Sequence, residues 1–387
     1  MESISSEHEL NVLILVEWYY PVGGIEMFVA NLVSSLDKRI DVTLAVCYIG
    51  RKSELPQLPS NVSVVDVTGN TFQKVQELTR TLRPDVIHTN HDTIIGIAAL
   101  RTAKELHIPI MFSNHVLPIW PGFFNKFANV ARWVTQVRFN NSCTLSSGPS
   151  MIVGMLLERH GLHTPYLPIS CGVDTERFSP HDRNAAREKL GLDSTPIVLF
   201  VGRIAKEKRI PLIIKAQQAL RNEQPFKLAL IGPEPIRGGD GRAVRKLIAE
   251  YGLQQSVVRT GYIPSASETM LDWYAAADLF CIASNFETQS IVTLEAMASG
   301  LPVVASDAGA LPESVLDGDN GLLFQSGNHA DLAEKLRTIL SDGKLRNAMG
   351  KRGREHALEH ELNLTAQRFE SIYYDLSSQN LPRIDSR

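Results

Sequence analysis

Residues 284–313, SNFETQSIVTLEAMASGLPVVASDAGALPE, follow the apolar run Leu279-Phe280-Cys281-Ile282 and decide how the chain is read. The run has the length of a buried strand. Ser284 to Ser290 reads as a polar turn, and Ile291 to Ser299 as a helix stopped by Gly300 and Pro302. A second apolar run, LPVVAS, comes next, so the stretch is one strand, turn and helix of a parallel sheet.

The same alternation runs in both directions from this point. NVLILV, DVTLAV, VSVVDV, DVIHT, IPIMF and CTLS mark strands in the first half, and PIVLFVG, FKLALIG, VVRTG, DLFCIA, LPVVAS and GLLF in the second. Two doubly wound α/β sheets follow from it. Between them, ISCGVDTERFSPHDRNAAREKLGLDST breaks the rhythm with Gly172, Pro180 and a charged helical patch. We therefore expect a first domain over residues 1–180, rejoined by a terminal helix over 365–387, and a second over 181–364. Ligands bind such sheets at the carboxyl ends of their strands, so a cleft between the domains is the expected site.

Three places carry chemistry. Glu287 and Glu295 lie eight residues apart, one before the helix and one inside it. The helix start offers unpaired amides and partial positive charge, which suits a diphosphate across Thr288, Gln289, Ser290 and Ile291. Carboxylates beside such a cradle need hydroxyl donors. A vicinal diol supplies two at matching spacing, so a ribose suits Glu295 and a hexose hydroxyl suits Glu287. Either glutamate alone also reads as a solvated or helix-terminal charge. The second place is VGRIAKEKR, where Arg203 and Lys208 follow a strand end and can neutralise a diphosphate, as a planar fork and a point charge. The third is PVGGIE, where Gly23 and Gly24 precede an amphipathic helix and leave amides open to a ligand. No GxGxxG fingerprint follows any expected strand, which argues against a nicotinamide enzyme.

Composition sets the outer bounds. The chain has 387 residues, 44% hydrophobic and 21% charged, with a net charge of −3. It is long enough for two or three domains, and its charge gives no support for nucleic-acid binding. Cys47, Cys143, Cys171 and Cys281 are scattered, without metal or disulfide spacing, and read as buried thiols. Asp317-Gly318-Asp319 reads as turn chemistry, so no metal site is expected. The start MESISSEHEL lacks a signal pattern, and no apolar run nears the roughly 18 residues of a membrane span. The protein is read as cytoplasmic, with peripheral contact at the inner membrane face left open. That contact would use FFNKFANVARWVTQVRF, where Phe123, Phe127, Val130, Val134 and Val137 form a stripe among basic residues. Such a stripe more often packs on its own sheet.

In their order and separation, PVGGIE, SCGVDTERFSP, VGRIAKEK, VVRTGYIPSA, AADLFCIAS and ETQSIVTLEAMASGLPVVAS resemble the retaining glycosyltransferases of family 4, over most of the chain. The resemblance implies the GT-B fold, two Rossmann-like domains facing across a cleft, the last helix crossing back to the first. It implies transfer of a sugar from a nucleoside diphosphate-sugar, UDP- or GDP-linked, to a glycan or lipid-linked acceptor, with retention and no metal or other cofactor. Carried over by position, Arg203 and Lys208 match the diphosphate clamp, Glu295 the ribose ligand, and Glu287 the acid at the donor sugar. Gly23 and Gly24 match the loop over the diphosphate, His115 the active-site histidine, and Tyr262 and Ile263 the backbone contacts to the nucleobase. Departures are the Thr288-Gln289-Ser290 step, Arg209 in place of a frequent glycine, and an extra IRGGDG after Gly232. Other readings are a different enzyme on the same fold, a sugar-nucleotide epimerase or glycosyl phosphorylase, and a non-catalytic nucleotide-sugar binding protein.

Overall fold

The computed structural model describes residues 10–19, 24–49, 58–118, 125–235 and 238–379. Its first unit holds seven parallel strands: β1 (Leu10–Tyr19), β2 (Ile40–Ile49), β3 (Val62–Asp66), β4 (Val86–Thr89), β5 (Ile110–Ser113), β6 (Leu145–Gly148) and β7 (Tyr166–Pro168). The second holds six: β8 (Ile197–Val201), β9 (Lys227–Ile231), β10 (Val257–Gly261), β11 (Leu279–Ile282), β12 (Val303–Ser306) and β13 (Gly321–Phe324). The sheet orders are β3-β2-β1-β4-β5-β6-β7 and β10-β9-β8-β11-β12-β13, so each reverses direction beside its first strand. Crevices open at such reversals, above the strand carboxyl ends.

Helices connect these strands. In the first unit they are α1 (Gly24–Ser35), α2 (Thr71–Leu82), α3 (Ile94–Leu106), α4 (Asn125–Asn140) and α5 (Met151–Arg159). The second has α6 (Arg183–Lys189), α7 (Ile210–Leu220), α8 (Gly241–Glu250), α9 (Glu268–Ala276), α10 (Ile291–Ala298), α11 (Leu311–Ser314), α12 (His329–Ser341) and α13 (Gly343–Leu358). The final helix, α14 (Leu362–Ser377), returns to the first unit, where Phe369 packs on Phe28 of α1 and Tyr373 reaches His88 of β4.

The alternation of side chains along a strand explains the layering. In β8, Ile197, Leu199 and Val201 enter one cluster with Tyr274 and Leu294, while Val198 and Phe200 enter another with Ile213 and Leu336. Apolar residues on both faces are what a sheet covered by helices on both sides requires.

Two differences from the sequence reading stand out. The seventh strand, β7, escaped it: three residues long, ending in Pro168, it sits at the sheet edge where a missing N–H is tolerated. The chain also divides earlier than residue 180. The first unit ends at Cys171 and resumes at Leu362, and the second is Gly172–Glu361. Val173 and Phe178 belong to the core of the second unit, and the Val173 N–H donates to the His360 carbonyl at 2.9 Å, so both ends of that unit are tied together.

All four cysteines are buried, and burial raises each thiol pKa, that of Cys171 to about 12. Along α4, Trp133 and Val137 are buried, whereas Val130 and Val134 are 63% and 44% exposed. The expected stripe therefore only partly packs on the sheet. Phe123 and the Phe127 side chain lie outside the described residues. Among those described, no helix is long and apolar enough to cross a membrane.

Candidate active site

The carboxyl ends of β8, β9 and β10 each run into glycine: Gly202, Gly232 and Gly261. Gly232 has φ +141°, and a Cβ there would stand 2.0 Å from the Gly202 carbonyl oxygen. Only glycine permits two strand ends to meet so closely, which leaves a shelf of backbone.

Beyond Gly202, a single helical turn carries Lys206–Lys208, and Arg209 opens α7 in the left-handed region at φ 49°, ψ 36°. That conformation costs an L-residue about 1–2 kcal/mol and explains why glycine suits this position. The Arg209 guanidinium donates to Ser326 Oγ at 3.1 Å. The turn points Lys208 at Glu287, with Nζ 2.5 Å from Oε1 and both side chains largely buried. Arg203 lies nearer solvent and donates to Glu207 Oε1 at 3.0 Å, while the Glu207 carbonyl accepts the Asn285 N–H at 2.9 Å. Part of the insertion after Gly232 also braces this turn: the Gly238 carbonyl accepts the Lys206 N–H at 3.1 Å.

Glu287 is held from several sides. Its carboxylate accepts from Lys208 and from Ser284 Oγ, and its carbonyl accepts the Ala310 N–H. Gly309, at φ +58°, lies so close that a Cβ would fall 2.4 Å from that carbonyl. Thr288 and Gln289 follow in the turn, then Ser290, and Ile291 begins α10. The Ser290 side chain at the N-cap makes no capping bond to this helix, whose amides and dipole favour an anion.

Glu295, one turn into α10, is buried and accepts from Tyr274 Oη at 2.7 Å. Burial pushes its carboxyl up to about 7, against the lowering effects of the Tyr274 hydroxyl and the Arg177 charge. Tyr262, 47% exposed, follows Gly261, and Ile263 packs against the core below. The second unit thus gathers Arg203, Lys208, Glu287, Ser290, Ile291 and Glu295 along one sheet edge: two cations, helix amides and two carboxylates. This set can hold a diphosphate between two hydroxyl-bearing groups.

The other two positions lie in the first unit. Gly24 opens α1, exposed, with nothing within 4 Å of an added Cβ, so packing does not demand a glycine there; Gly23 lies outside the described residues. Four residues on, Phe28 packs against His115 with ring centres 4.6 Å apart and planes tilted by 48°. His115 Nε2 pairs with Asn90 Oδ1 at 3.0 Å, and burial, aided by the charge of His91, pushes its pKa down to about 3. It is a neutral ring, with Nε2–H donating to the Asn90 oxygen and Nδ1 the acceptor nitrogen.

Some groups were missed. Glu207 was legible as the i+4 partner of Arg203. The Gly309 glycine hinted at close approach, whereas nothing local pointed to Tyr274 or Ser284.

Two family models cover the chain in tandem: Glycosyltransferase Family 4 over residues 22–177 and Glycosyl transferases group 1 over 182–356. A D-inositol 3-phosphate glycosyltransferase of Stackebrandtia nassauensis is 34% identical over 304 residues, 75% of this chain and 68% of that protein. The chain belongs to glycosyltransferase family 4. This glycosyltransferase is also 30% identical to the sulfoquinovosyl transferase SQD2 of Arabidopsis thaliana, over 78% of its own length and 58% of that relative. Its fold matches HepE of Anabaena, solved in complex with UDP-glucose, at TM-score 0.80 and 19% identity, covering 95% of this chain and 100% of that one. Its fold is thus of GT-B type. Among its described residues, no three His, Cys, Asp or Glu are arranged to hold a metal ion; Asp319 is instead paired with Arg352 at 2.7 Å.

Proposed function

We propose that this glycosyltransferase moves a sugar, with retention, from a UDP- or GDP-sugar to the hydroxyl of a glycan or lipid-linked acceptor. The observation that carries the reading is the Lys208–Glu287 pair beside the start of α10, where the Ser290 side chain makes no capping bond. A diphosphate offers Lys208 and Arg203 stronger partners than the carboxylates they now hold, and frees Glu287 to face the sugar. As the anomeric C–O bond breaks, its electron pair passes to the diphosphate oxygen, and the two cations and the α10 amides stabilise that charge. The acceptor oxygen attacks from the same face, and its proton goes to the departing diphosphate. Glu295 and the backbone at Tyr262 and Ile263 hold the nucleoside. The reading takes its countercharge from these side chains and calls for no cofactor.

The uridine donor comes first in the test, since the relative HepE was solved with UDP-glucose. Incubating UDP- and GDP-sugars alone and with glycan or lipid-linked acceptors separates the outcomes. A new glycoside whose anomeric configuration matches the donor by proton NMR supports the reading. An isomerised donor, a sugar 1-phosphate formed with inorganic phosphate, or saturable binding without turnover each overturns it. For lipid-linked acceptors, the exposed Val130 and Val134 beside Arg138 on α4 suit an anionic surface. Co-sedimentation with phosphatidylglycerol vesicles, absent with phosphatidylcholine, checks that part.

A further inference from the structure

The junction DTERFSP, residues 174–180, plays no part in the chemistry above, yet it folds against the donor side of the second unit. Asp174 Oδ1 accepts the Arg177 N–H at 2.8 Å and its carbonyl the Phe178 N–H at 2.9 Å, which makes a tight turn. The Arg177 guanidinium donates to the carbonyls of Ser265 and Ser267 at 3.3 and 3.1 Å, and stands 3.8 Å from Glu268 Oε1. Ser267 is the N-cap of α9. Phe178 sets its edge on Tyr274 of the same helix, 5.5 Å between ring centres, and Tyr274 donates to Glu295. One short segment therefore braces both the loop that follows Tyr262 and Ile263 and the residue that orients Glu295.

We propose that Arg177 is a positioning residue of the donor site: it pins the Ser265–Ser267 turn behind the nucleobase contacts, and its charge favours the ionised form of Glu295 that accepts the ribose diol. This rests on the donor reading above. Tyr274 of α9 donates to Glu295, and the Arg177 charge lowers the carboxyl pKa against the larger effect of burial. On the α13 side, Arg354 donates to the carbonyls of Thr175, Phe178 and Ala298. Tyr274 stays neutral, since burial and Glu295 raise its pKa further. A carboxyl at about 7 is half ionised near neutrality, so a nearby cation decides how well it accepts two hydroxyl hydrogens.

The test is UDP binding by calorimetry from pH 6.5 to 9, in the full chain, for wild type, Arg177→Gln and Arg177→Lys. Losing the charge weakens binding at pH 7 by about fivefold, and the gap narrows towards pH 9 as Glu295 ionises in both proteins. The ligand's own titration is common to both, so the ratio of dissociation constants is what is read. Arg177→Lys keeps the charge and restores the pH profile, and it also serves if the Gln variant unfolds. A ratio constant with pH, or no change at all, overturns the proposal. In the ligand-free protein, the carboxyl carbon-13 resonance of Glu295, assigned by its loss in Glu295→Gln, titrates about one pH unit higher in Arg177→Gln; an unmoved midpoint overturns it too. If wild type binds none of UDP, GDP and ADP, the donor reading fails, while the carboxyl titration still decides the Arg177 coupling.

Discussion

The two sheets wind in the same order about their first strands, yet their carboxyl edges are furnished in opposite ways. In the first unit the edge is filled with side chains committed to one another. His88 on β4 is fully buried, with Nδ1 on Tyr373 Oη and Nε2 on Ser113 Oγ, both at 2.7 Å, and Ser113 passes on to Ser147. Asn114, Asn140, Gln136 and Ser146 form a second satisfied network beside it. In the second unit the corresponding edge is glycine backbone, with cations and carboxylates at its rim. Topology therefore places a crevice, and local residue choice decides whether it is plugged or left open to a ligand.

Ionisation divides the same way. Burial, with the charge of His115 added, pushes His88 down to about 3, whereas burial pushes Glu295 up to about 7. Burial favours the neutral form of both groups, but one is challenged by acid and the other by alkali.

The most severe way to break the comparison is at the open edge. Arg203→Ala and Lys208→Ala should each lower sugar transfer about 100- to 1000-fold in initial-rate assays. Arg203→Ala should leave the thermal midpoint in place, because its pair with Glu207 is exposed. Unchanged turnover would remove the clamp from the site. Next is Glu295→Gln. In the folded chain this carboxyl keeps its proton up to about pH 7, while the unfolded chain releases it near 4.5, so stability falls as pH rises between those values. The variant escapes that loss and should gain about 3 kcal/mol over wild type at pH 8, relative to the difference at pH 4, in urea unfolding. Its UDP affinity should fall at the same time.

His88 should show the opposite sign. Unfolded, its ring takes up a proton below about pH 6.5, while the folded ring resists until about 3, so its contribution is complete above 6.5 and fades as pH falls. About 2 kcal/mol should be gone by pH 5, and His88→Gln should flatten that acid slope despite a lower overall stability. The smallest effect is expected at Arg209→Gly. Relief of the left-handed backbone, about 1 kcal/mol, is offset by loss of the bond to Ser326, so the net change in urea unfolding should stay within about 1 kcal/mol.

These contrasts also mark what the sequence made legible. Apolar runs bounded by Gly and Pro announced both sheets, because a strand buried on two faces is a continuous apolar word. β7 carried no such word, being short, half-buried and ended by proline. The turn and helix around Glu287 and Glu295 were readable because loop and cap chemistry is local. What Glu287 touches was not: Lys208 lies far off in sequence and meets it only because two adjacent strands, β8 and β11, end side by side. The pairing of Tyr274 with Glu295 and of His88 with Tyr373 likewise depends on helices docking, which no spacing encodes.

The four cysteines, unremarkable as core packing, give the molecule a practical property. Each is buried with a thiol pushed away from ionisation, so none presents a thiolate to an electrophile in the folded state. A maleimide dye should therefore ignore the native chain and label a single engineered thiol, for example Tyr48→Cys in one unit or Tyr262→Cys in the other, both exposed positions. The chain is ready for fluorescence reporting of nucleotide binding without first being stripped of its own sulfur.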